Sequence, residues 1–370
     1  MRQKILTVVG ARPQFIKAAV VSRALASCGA FEEQLLHTGQ HYDDCMSRRF
    51  FEELQIPEPT WNLGVGSGPH GMQTGRMLEG IEQVIRDWQP DRVLVYGDTN
   101  STLAGALAAT KMHCPCAHVE AGLRSYDRRM PEEVNRVVAD VLSDLLFCPT
   151  ATTVRNLARE GRTETSGVRL VGDVMYDAVR IFSASATRLP DAVAGVAVPF
   201  ALMTCHRAEN TDDPVRLGEL LDGASRVASL LPVVFPIHPR TAAAMRSFGL
   251  SLPDGILGIP PISYLETLAL LGRAAVVMTD SGGLQKEAFF AHVPCVTLRD
   301  RTEWVELVEA GWNTLVGTSP EAIVQAVERA ISSAPPDHRE DLFGDGHAAE
   351  KIAEILASEP VEGLFYGQSD

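Results

Sequence analysis

The stretch VLVYGDTNSTLAGALAATKMHCPCAHVEAGLRSYDRRMPEEVNR, residues 93–136, indicates the class of fold. It contains an apolar strand that runs into Gly97-Asp98-Thr99, then a predicted helix over residues 101–112, then a second strand that ends at Glu120. Apolar strands that alternate with helices are typical of a parallel sheet with helices on its faces. We therefore expect an open α/β sheet in this part of the chain.

Three acidic residues in this stretch stand where a ligand can reach them. Asp98 and Glu120 come directly after neighbouring strands, and Glu132 follows Pro131 at the start of the next helix. Ligands of open parallel sheets bind just beyond the carboxyl ends of the strands, and an acid suits the first turn of a helix. We expect the three acids to form one site. The alternative is that they cap helices and pair with Arg124 and Arg136.

Length and composition predict a globular enzyme of two domains. The chain has 370 residues, of which 45% are hydrophobic and 22% charged, and its net charge is −14. A chain of this length is too long for one comfortable core. The acidic balance argues against nucleic-acid binding and against binding to an anionic membrane, because both need a basic face.

The seven cysteines and the N-terminal sequence indicate a cytoplasmic protein. The cysteines have no disulfide-framework spacing, so we expect reduced thiols. The apolar run near the N-terminus is only about five residues long, too short for a signal peptide. No window approaches the roughly 20 apolar residues of a membrane span. We expect no metal, since the sequence contains neither H-x-x-x-H nor paired C-x-x-C motifs.

Predicted strands and helices alternate along the whole chain, with one interruption. The segment ATRLPDAVAGVAVP, residues 186–199, has two prolines and no periodicity, and we interpret it as a linker. It separates an N-terminal Rossmann-like domain with the acids, residues 1–187, from a C-terminal one, residues 188–347. The last helix, within residues 348–370, is expected to pack back on the first domain. The predicted architecture is thus α/β, with two Rossmann-like domains and a cleft between them.

The clearest phosphate-binding pattern lies in the second domain. An apolar strand is followed by Ser281-Gly282-Gly283 and then by a helix. Glycines let a phosphate approach the backbone, and a helix N-terminus offers N–H groups and positive potential. Glu287 lies one turn further on, where an acid can accept the hydroxyl groups of a ribose. The neighbouring Lys286 is expected to be a solvated surface charge.

Two cations and a histidine complete the residues selected from the pattern alone. Arg12 and Lys17 follow the first strand and are candidates to bind a diphosphate, with a structural salt bridge as the alternative. His206 follows the first strand of the second domain and is expected to face the acids, with a hydrogen-bonded structural histidine as the alternative. The glycine fingerprints of dinucleotide-binding folds and of P-loops are absent, so we expect no NAD or other cofactor.

Motifs spread over nearly the whole chain resemble those of the non-hydrolysing UDP-N-acetylglucosamine 2-epimerases. They are GARPQFIK, TGQHYDD, VLVYGDTNSTLAGALAA, HVEAGLRS, MPEEVNR, TCHRAEN, FPIHPR, TDSGGLQKEA and TEWVELVEAGWNTLVG. This resemblance implies the glycosyltransferase-B-like fold and the interconversion of UDP-N-acetylglucosamine and UDP-N-acetylmannosamine for surface polysaccharides. It also implies a homodimer.

The resemblance assigns roles by motif. The catalytic set that it implies consists of Asp98, Glu120, Glu132 and His206. The positions that it implies for contacts with the nucleotide are Arg12, Lys17, Arg136, Ser281, Gly282, Gly283 and Glu287.

The chemistry of C2 inversion fits these residue types. No carbonyl acidifies the C2 proton, but expulsion of UDP builds oxocarbenium character at C1 and makes that proton labile. The resulting 2-acetamidoglucal takes UDP back after protonation on the opposite face of C2. This route needs a carboxylate base, an acid on the other face and cations on the diphosphate. We expect Asp98 and Glu120 to flank C2, with Glu132 assisting and His206 near the diphosphate. Either flanking acid can serve as the base.

Two departures from the family pattern bear on the substrate. Trp304 stands where many members carry the arginine of T-E-R-P-E. Gln40-His41-Tyr42-Asp43 stands where members with an activating second UDP-N-acetylglucosamine carry Q-H-R-x-M, and acidic Asp43 argues against such an allosteric site. Some relatives with these variants act instead on UDP-2,3-diacetamido-2,3-dideoxyglucuronic acid, which is the alternative substrate. A UDP-sugar glycosyltransferase of the same fold is a further alternative, although three acids exceed what a transferase needs.

Overall fold

The computed structural model describes residues 2–40, 51–334, 336 and 342–359. These residues divide into two compact units, one containing the described residues up to Ala178 together with 342–359, and the other those from Val179 to 336. The boundary predicted from the sequence lies later in the chain, after residue 187, and remains a proposal. Residues 41–50 lie outside the described part, and with them Asp43.

The first unit is built on a parallel sheet in which seven strands are described. Its strands are β1 (Gln3–Val9), β2 (Phe31–His37), β3 (Trp61–Asn62), β4 (Arg92–Tyr96), β5 (Cys116–Val119), β6 (Leu145–Cys148) and β7 (Val168–Leu170). Their spatial order is β3-β2-β1-β4-β5-β6-β7. Chain order therefore reverses between β1 and β4, and this switch point is where open α/β sheets bind ligands.

Helices connect these parallel strands. They are α1 (Arg12–Cys28), α2 (His70–Trp88), α3 (Asn100–Lys111), α4 (Pro131–Leu142), α5 (Ala151–Arg159) and α6 (Val174–Phe182). All five residues of β4 are buried, as expected for a strand that is covered on both faces. Helix α3 packs against β4, and α2 buries Met77, Ile81, Val84 and Ile85 at helical spacing in the same apolar core.

The second unit repeats this plan with six described strands. These are β8 (Phe200–Thr204), β9 (Val233–Pro236), β10 (Ile256–Ile259), β11 (Ala274–Thr279), β12 (Cys295–Thr297) and β13 (Asn313–Leu315). The spatial order is β10-β9-β8-β11-β12-β13, and all neighbours are parallel. Here the switch point lies between β8 and β11.

The helices of the second unit alternate with its strands. They are α7 (Ala208–Thr211), α8 (Pro214–Val227), α9 (Pro239–Phe248), α10 (Tyr264–Leu271), α11 (Gly282–Phe290), α12 (Val305–Glu309) and α13 (Pro320–Ser332). Across both units, none of the helices in the described ranges has the length and apolar character needed to cross a bilayer.

The last described helix, α14 (Ala348–Ser358), belongs to the first unit and packs against α1. The Asp177 carboxylate accepts hydrogen bonds from the backbone N–H groups of Ala348 (3.1 Å) and Ala349 (2.7 Å) at the start of α14. Burial raises the pKa of Asp177 to about 6, although these two N–H groups act to lower it. The part of the predicted C-terminal segment that follows residue 359 is outside the described residues.

Candidate active site

Asp98 and Glu120 follow neighbouring parallel strands. In the register of β4 and β5, Tyr96 lies opposite Val119, and the Gly97 N–H donates to the Val119 carbonyl at 2.9 Å. A Cβ atom built on Gly97 would lie 3.6 Å from Glu120 Oε1. The Glu120 carboxylate is thus next to the residue that precedes Asp98, and both acids follow the carboxyl ends of neighbouring strands.

Lys17 forms a buried ion pair with Glu120. Of the two alternatives for Lys17, the structure shows the salt bridge, and a role on a diphosphate remains a proposal. Glu120 itself has a φ of 71°, in the left-handed region that non-glycine residues rarely adopt. Backbone strain of this kind persists only where the surroundings hold it, and it clusters at functional sites.

Arg136 bridges Asp98 and Glu133, and its predicted contact with the nucleotide remains a proposal. Its Nη2 donates to Asp98 Oδ2, and its Nη1 lies 3.2 Å from Glu133 Oε2. The Arg136 side chain is 3% exposed, whereas that of Asp98 is 29% exposed. Asp98 is therefore held on one side by a buried cation and remains accessible on another.

The two adjacent acids of the MPEE motif have different environments. Pro131 begins α4, and Glu132 and Glu133 lie in its first turn. Glu133 is buried, and its carboxylate accepts three hydrogen bonds, from the Ser125 N–H and Oγ and from the Tyr126 N–H, each at 2.9 Å. Glu132 is partly exposed. Glu133 thus orders the preceding loop, and Glu132 is the acid of this pair that a ligand can reach.

Gln14 ties the loop after β1 to the loop that carries Asp98, and the sequence analysis missed it. Its Oε1 accepts from the N–H groups of Gly10 (2.8 Å) and Ala11 (3.1 Å), while its Nε2 donates to the Tyr96 carbonyl at 2.9 Å. A glutamine three residues after a helix N-cap is a sequence signal for such a role. Arg12 begins α1 beside this loop and is partly exposed.

A buried histidine lies beneath the two acids, and the sequence analysis missed it too. His118 Nδ1 is 2.7 Å from Asp140 Oδ1, and its Nε2 is 2.6 Å from the Gly97 carbonyl oxygen. Asp140 Oδ2 also accepts from Arg124 Nη1 at 2.7 Å. Burial acts to raise the pKa of Asp140, but hydrogen bonding and charge from His118 and Arg124 outweigh it, so this pKa lies below its ordinary value.

In the second unit, the end of β8 presents His206. The buried Asp280 carboxylate accepts from the backbone N–H groups of His206 (3.0 Å) and Arg207 (2.9 Å) and from Asn210 Nδ2 (3.1 Å). The loop is therefore fixed through its backbone, while the His206 side chain is 38% exposed. Its ring centroid lies 5.3 Å from that of His238. Asp280 is a further organising residue that the sequence analysis did not select.

The predicted phosphate-binding turn lies at the end of β11, the strand that pairs with β8. Ser281 is the N-cap of α11, and its Oγ accepts from the Leu284 N–H at 3.4 Å. A Cβ atom on Gly282 would meet Glu303 Oε1 at 2.6 Å, so a larger residue there would displace the Glu303 carboxylate. On Gly283 the nearest atom, Ser281 Oγ, would be 3.9 Å away. The helix start is therefore open on the Gly283 side.

The expectation that Lys286 is a solvated surface charge is wrong. Lys286 is 1% exposed, and its Nζ lies 4.1 Å from the centroid of the Trp304 ring. A cation over an indole face is attracted by the ring quadrupole, which compensates part of the cost of burial. Trp304, which replaces the arginine of the family pattern, therefore covers Lys286. Glu287 is buried on the same helix.

The free cysteines identified in the described residues are mostly buried. Burial raises the pKa of Cys116 to about 12, and the pKa of Cys295 rises in the same way. Within the ranges that the structure describes, no group of three or more His, Cys, Asp or Glu side chains is arranged to hold a metal ion.

Comparison with known proteins places this geometry in a family. The model of the UDP-N-acetylglucosamine 2-epimerase family matches residues 23–357. The UDP-2,3-diacetamido-2,3-dideoxy-D-glucuronate 2-epimerase of Pseudomonas aeruginosa is 51% identical over 358 residues, which cover 96% of this chain and 99% of that protein.

Two solved structures resemble this one closely. The Methanocaldococcus jannaschii UDP-GlcNAc 2-epimerase, in complex with UDP-GlcNAc and UDP, has a TM-score of 0.89 and 42% identity over 97% of this chain and 100% of that chain. The Neisseria meningitidis UDP-GlcNAc 2-epimerase bound to UDP-GlcNAc has a TM-score of 0.87 and 28% identity over 96% of this chain and 100% of that chain.

These matches confirm two predictions. The likeness to solved epimerases confirms the fold class, two Rossmann-like domains of the glycosyltransferase-B-like type. The prediction of an enzyme of the isomerase class is confirmed by the family match. The chain belongs to the UDP-N-acetylglucosamine 2-epimerase family.

Proposed function

We propose that this protein is a non-hydrolysing epimerase that inverts C2 of a UDP-sugar. The observation that carries the proposal is that Asp98 and Glu120 follow the carboxyl ends of the neighbouring strands β4 and β5, in a chain of this family. Inversion needs one group to remove the C2 proton and another to deliver a proton to the opposite face. Two carboxyl groups that follow neighbouring strand ends can divide these roles.

In the first step, one carboxylate takes the C2 proton while the bond from C1 to the β-phosphate oxygen breaks. The electron pair of the C1–O bond leaves with UDP, and that of the C2–H bond becomes the C1=C2 bond of the glycal. In the second step, the other carboxyl group protonates C2 from the opposite face and a UDP oxygen adds back to C1. Electrons balance between substrate and product, so no redox cofactor takes part.

The charged partners of the acids have a place in this scheme. Lys17 and Arg136 hold Glu120 and Asp98 through ion pairs, so the two carboxylates keep fixed positions as protons come and go. Partly exposed Glu132 assists from the start of α4. Which of Asp98 and Glu120 acts as base depends on the direction of the reaction.

We assign the nucleotide to the second unit. The open N-terminus of α11 at Gly283, with Ser281 and Gly282, offers N–H groups to the diphosphate. His206 would donate to the leaving diphosphate, and Glu287 would accept hydroxyl groups of the ribose. Arg12 is proposed as a further diphosphate contact.

For the substrate we favour UDP-2,3-diacetamido-2,3-dideoxy-D-glucuronate. The support is the 51% identity to the Pseudomonas aeruginosa 2-epimerase of that name. The sequence analysis ranked UDP-N-acetylglucosamine first, and the higher identity reverses that order. UDP-N-acetylglucosamine is the second candidate, supported by the 42% identical Methanocaldococcus jannaschii structure that contains it.

Three further attributes remain proposals. We propose a homodimer, which sedimentation analysis of the purified protein tests. We also propose a cytoplasmic location and a role in supplying sugars for surface polysaccharides, and the buried free thiols agree with a reducing compartment.

The test is incubation of the purified protein with each UDP-sugar separately in deuterium oxide, with the C2 proton followed by NMR. We expect the diacetamido-uronate to lose its C2 proton signal and to give the C2 epimer with the UDP linkage intact. Turnover of UDP-N-acetylglucosamine alone would favour the second candidate. Release of free sugar and UDP would indicate a hydrolysing enzyme, and absence of exchange in both sugars would contradict the proposal.

The matched variant for this test is Asp98→Asn. Asparagine keeps the shape of the side chain but cannot take up the proton. We expect loss of C2 exchange with unchanged UDP binding by calorimetry. Unchanged turnover in this variant would remove Asp98 from the mechanism.

A further inference from the structure

His118 is a fully buried residue of β5 whose two ring nitrogens both meet oxygen atoms. Nε2 is 2.6 Å from the Gly97 carbonyl, and Nδ1 is 2.7 Å from Asp140 Oδ1. A carbonyl only accepts hydrogen bonds, so Nε2 donates to Gly97. An ionised carboxylate also only accepts, so the ring satisfies both partners when it carries both protons. The residue is therefore a clamp between α4 and the turn after β4.

The bond to Gly97 controls the residue that follows. The Gly97 carbonyl belongs to the same rigid peptide plane as the Asp98 nitrogen. Gly97 has a φ of 61°, and its N–H is already held by the Val119 carbonyl at 2.9 Å. With its oxygen held by His118, both polar groups of Gly97 are fixed by β5. The direction in which the Asp98 side chain leaves the turn is fixed with them.

Asp140 links the same clamp to Glu120. Its Oδ2 accepts from the Gly122 N–H at 3.1 Å, two residues beyond Glu120. Its Oδ1 holds His118, two residues before Glu120. The left-handed backbone of Glu120 is thus tied on both sides to one carboxylate. Arg124 completes the network with a 2.7 Å hydrogen bond to Asp140.

We propose that His118, held by Asp140, is a positioning residue that sets the relative placement of Asp98 and Glu120 for proton transfer at C2. This inference rests on the proposed function. His118 touches no substrate in this account and acts through the backbone of Gly97. Misplacement of a catalytic group by about 1 Å costs on the order of 10²-fold in rate. Loss of the clamp should therefore lower kcat and leave nucleotide binding alone.

Two substitutions by amide side chains each keep only one of the two hydrogen bonds that the His118 ring makes. Glutamine places its amide nitrogen near the position of histidine Nε2, so His118→Gln keeps a donor for Gly97. Asparagine places its amide near the position of Nδ1, so His118→Asn keeps a partner for Asp140 and loses the Gly97 bond. We expect kcat to fall about 10²-fold in His118→Asn and to be largely restored in His118→Gln, with the KM of the UDP-sugar unchanged in both.

A control that removes a different hydrogen bond to the same strand accounts for general loss of stability. The Asp144 carboxylate accepts from the Cys116 N–H at 2.8 Å, at the opposite end of β5 from Glu120. Asp144→Ala removes this acceptor, so it should lower the unfolding temperature and leave kcat unchanged. If His118 were merely structural, the activity of its variants would follow their unfolding temperature. Equal losses of kcat in His118→Asn and His118→Gln would overturn the positioning role. A loss of UDP binding in parallel with kcat would overturn it too.

A readout without turnover separates this inference from the proposed function. If the wild-type protein exchanged the C2 proton of neither UDP-sugar, the proposed function would fail, and crystal structures of the two variants would still test the clamp. We expect the Gly97–Asp98 peptide to rotate and the Asp98–Arg136 ion pair to break in His118→Asn only. An unmoved peptide in His118→Asn would overturn the inference.

Discussion

Lys17 Nζ and Glu120 Oε1 form an ion pair between α1 and the end of β5, with the two side chains only 8% and 7% exposed. The first helix and a proposed catalytic acid are thereby coupled, although the two residues are far apart in the chain. A buried charge that loses its partner is strongly destabilising, because the desolvation cost of the remaining charge is no longer compensated.

Lys17→Met should therefore lower the free energy of unfolding by about 3–5 kcal/mol. It should also slow C2 exchange, since Glu120 loses the group that holds it. Guanidinium denaturation measures the free energy of unfolding, and NMR measures the rate of C2 exchange. Lys111→Met, which replaces an exposed lysine at the end of α3, is the control and should match the wild type. Wild-type stability of Lys17→Met would contradict the importance of this ion pair.

The adjacent glutamates of α4 should respond to the same substitution in opposite ways. Glu132→Gln removes a partly exposed acid, so it should change the free energy of unfolding by less than about 0.5 kcal/mol and lower kcat by about 10²-fold or more. Glu133→Gln removes a buried carboxylate that accepts three hydrogen bonds and pairs with Arg136, so it should cost about 3 kcal/mol of stability. Thermal unfolding and turnover, measured on both variants, test these two expectations. A loss of stability in Glu132→Gln would contradict the assignment of Glu132 as the accessible catalytic acid of the pair.

Gly283→Ala tests the phosphate-binding turn. A Cβ atom there meets no protein atom closer than 3.9 Å, so the variant should fold with the wild-type unfolding temperature. The same methyl group would stand where the diphosphate approaches the helix start, so UDP affinity should fall at least about tenfold, or 1.4 kcal/mol. Calorimetric titration with UDP measures this effect. Gly218→Ala, in an open position of α8, is the control, and equal UDP affinity in both variants would place the diphosphate elsewhere.

Asp177 should make stability depend on pH. Its pKa rises by burial from the ordinary 3.8 to about 6, so between these values the native protein binds more protons than the unfolded chain. Below about pH 4 this group therefore contributes its full stabilisation, roughly 3 kcal/mol of the free energy of unfolding. That contribution is lost as pH rises through about 6. Guanidinium denaturation of the wild type from pH 4 to 7 should show this fall relative to Asp177→Asn. Parallel curves for the two proteins would contradict the shift.

Much of the fold follows from local patterns in the sequence. The apolar run of β4 and the alternation around it predict a parallel sheet, and Pro131 marks the start of α4. Asp98 and Glu120 were selected because they follow strands, and the register of β4 and β5 brings them together. These features depend on residues close in the chain, which is why the sequence alone reveals them.

The supporting network could not be predicted in the same way. His118 and Asp140 are 22 residues apart, and only the packing of α4 on the sheet makes them partners. The burial of Lys286 has the same origin, because Trp304 covers it from a different segment of the chain. Local spacing suggested a surface position for this lysine and gave no sign of the ring above it. Asp280 was missed because its partners His206 and Asn210 are far from it in the chain, with more than one strand between them.

The central claim is that the bond between C1 and the nucleotide breaks and re-forms while C2 inverts. It is tested most directly with a UDP-sugar that carries ¹⁸O in the oxygen bridging C1 and the β-phosphorus, followed by ³¹P NMR during partial epimerisation. The account predicts that the label moves into the non-bridging β-phosphate oxygens as the C2 epimer and C2 deuterium appear. Inversion of C2 with all of the label still in the bridging position would contradict it.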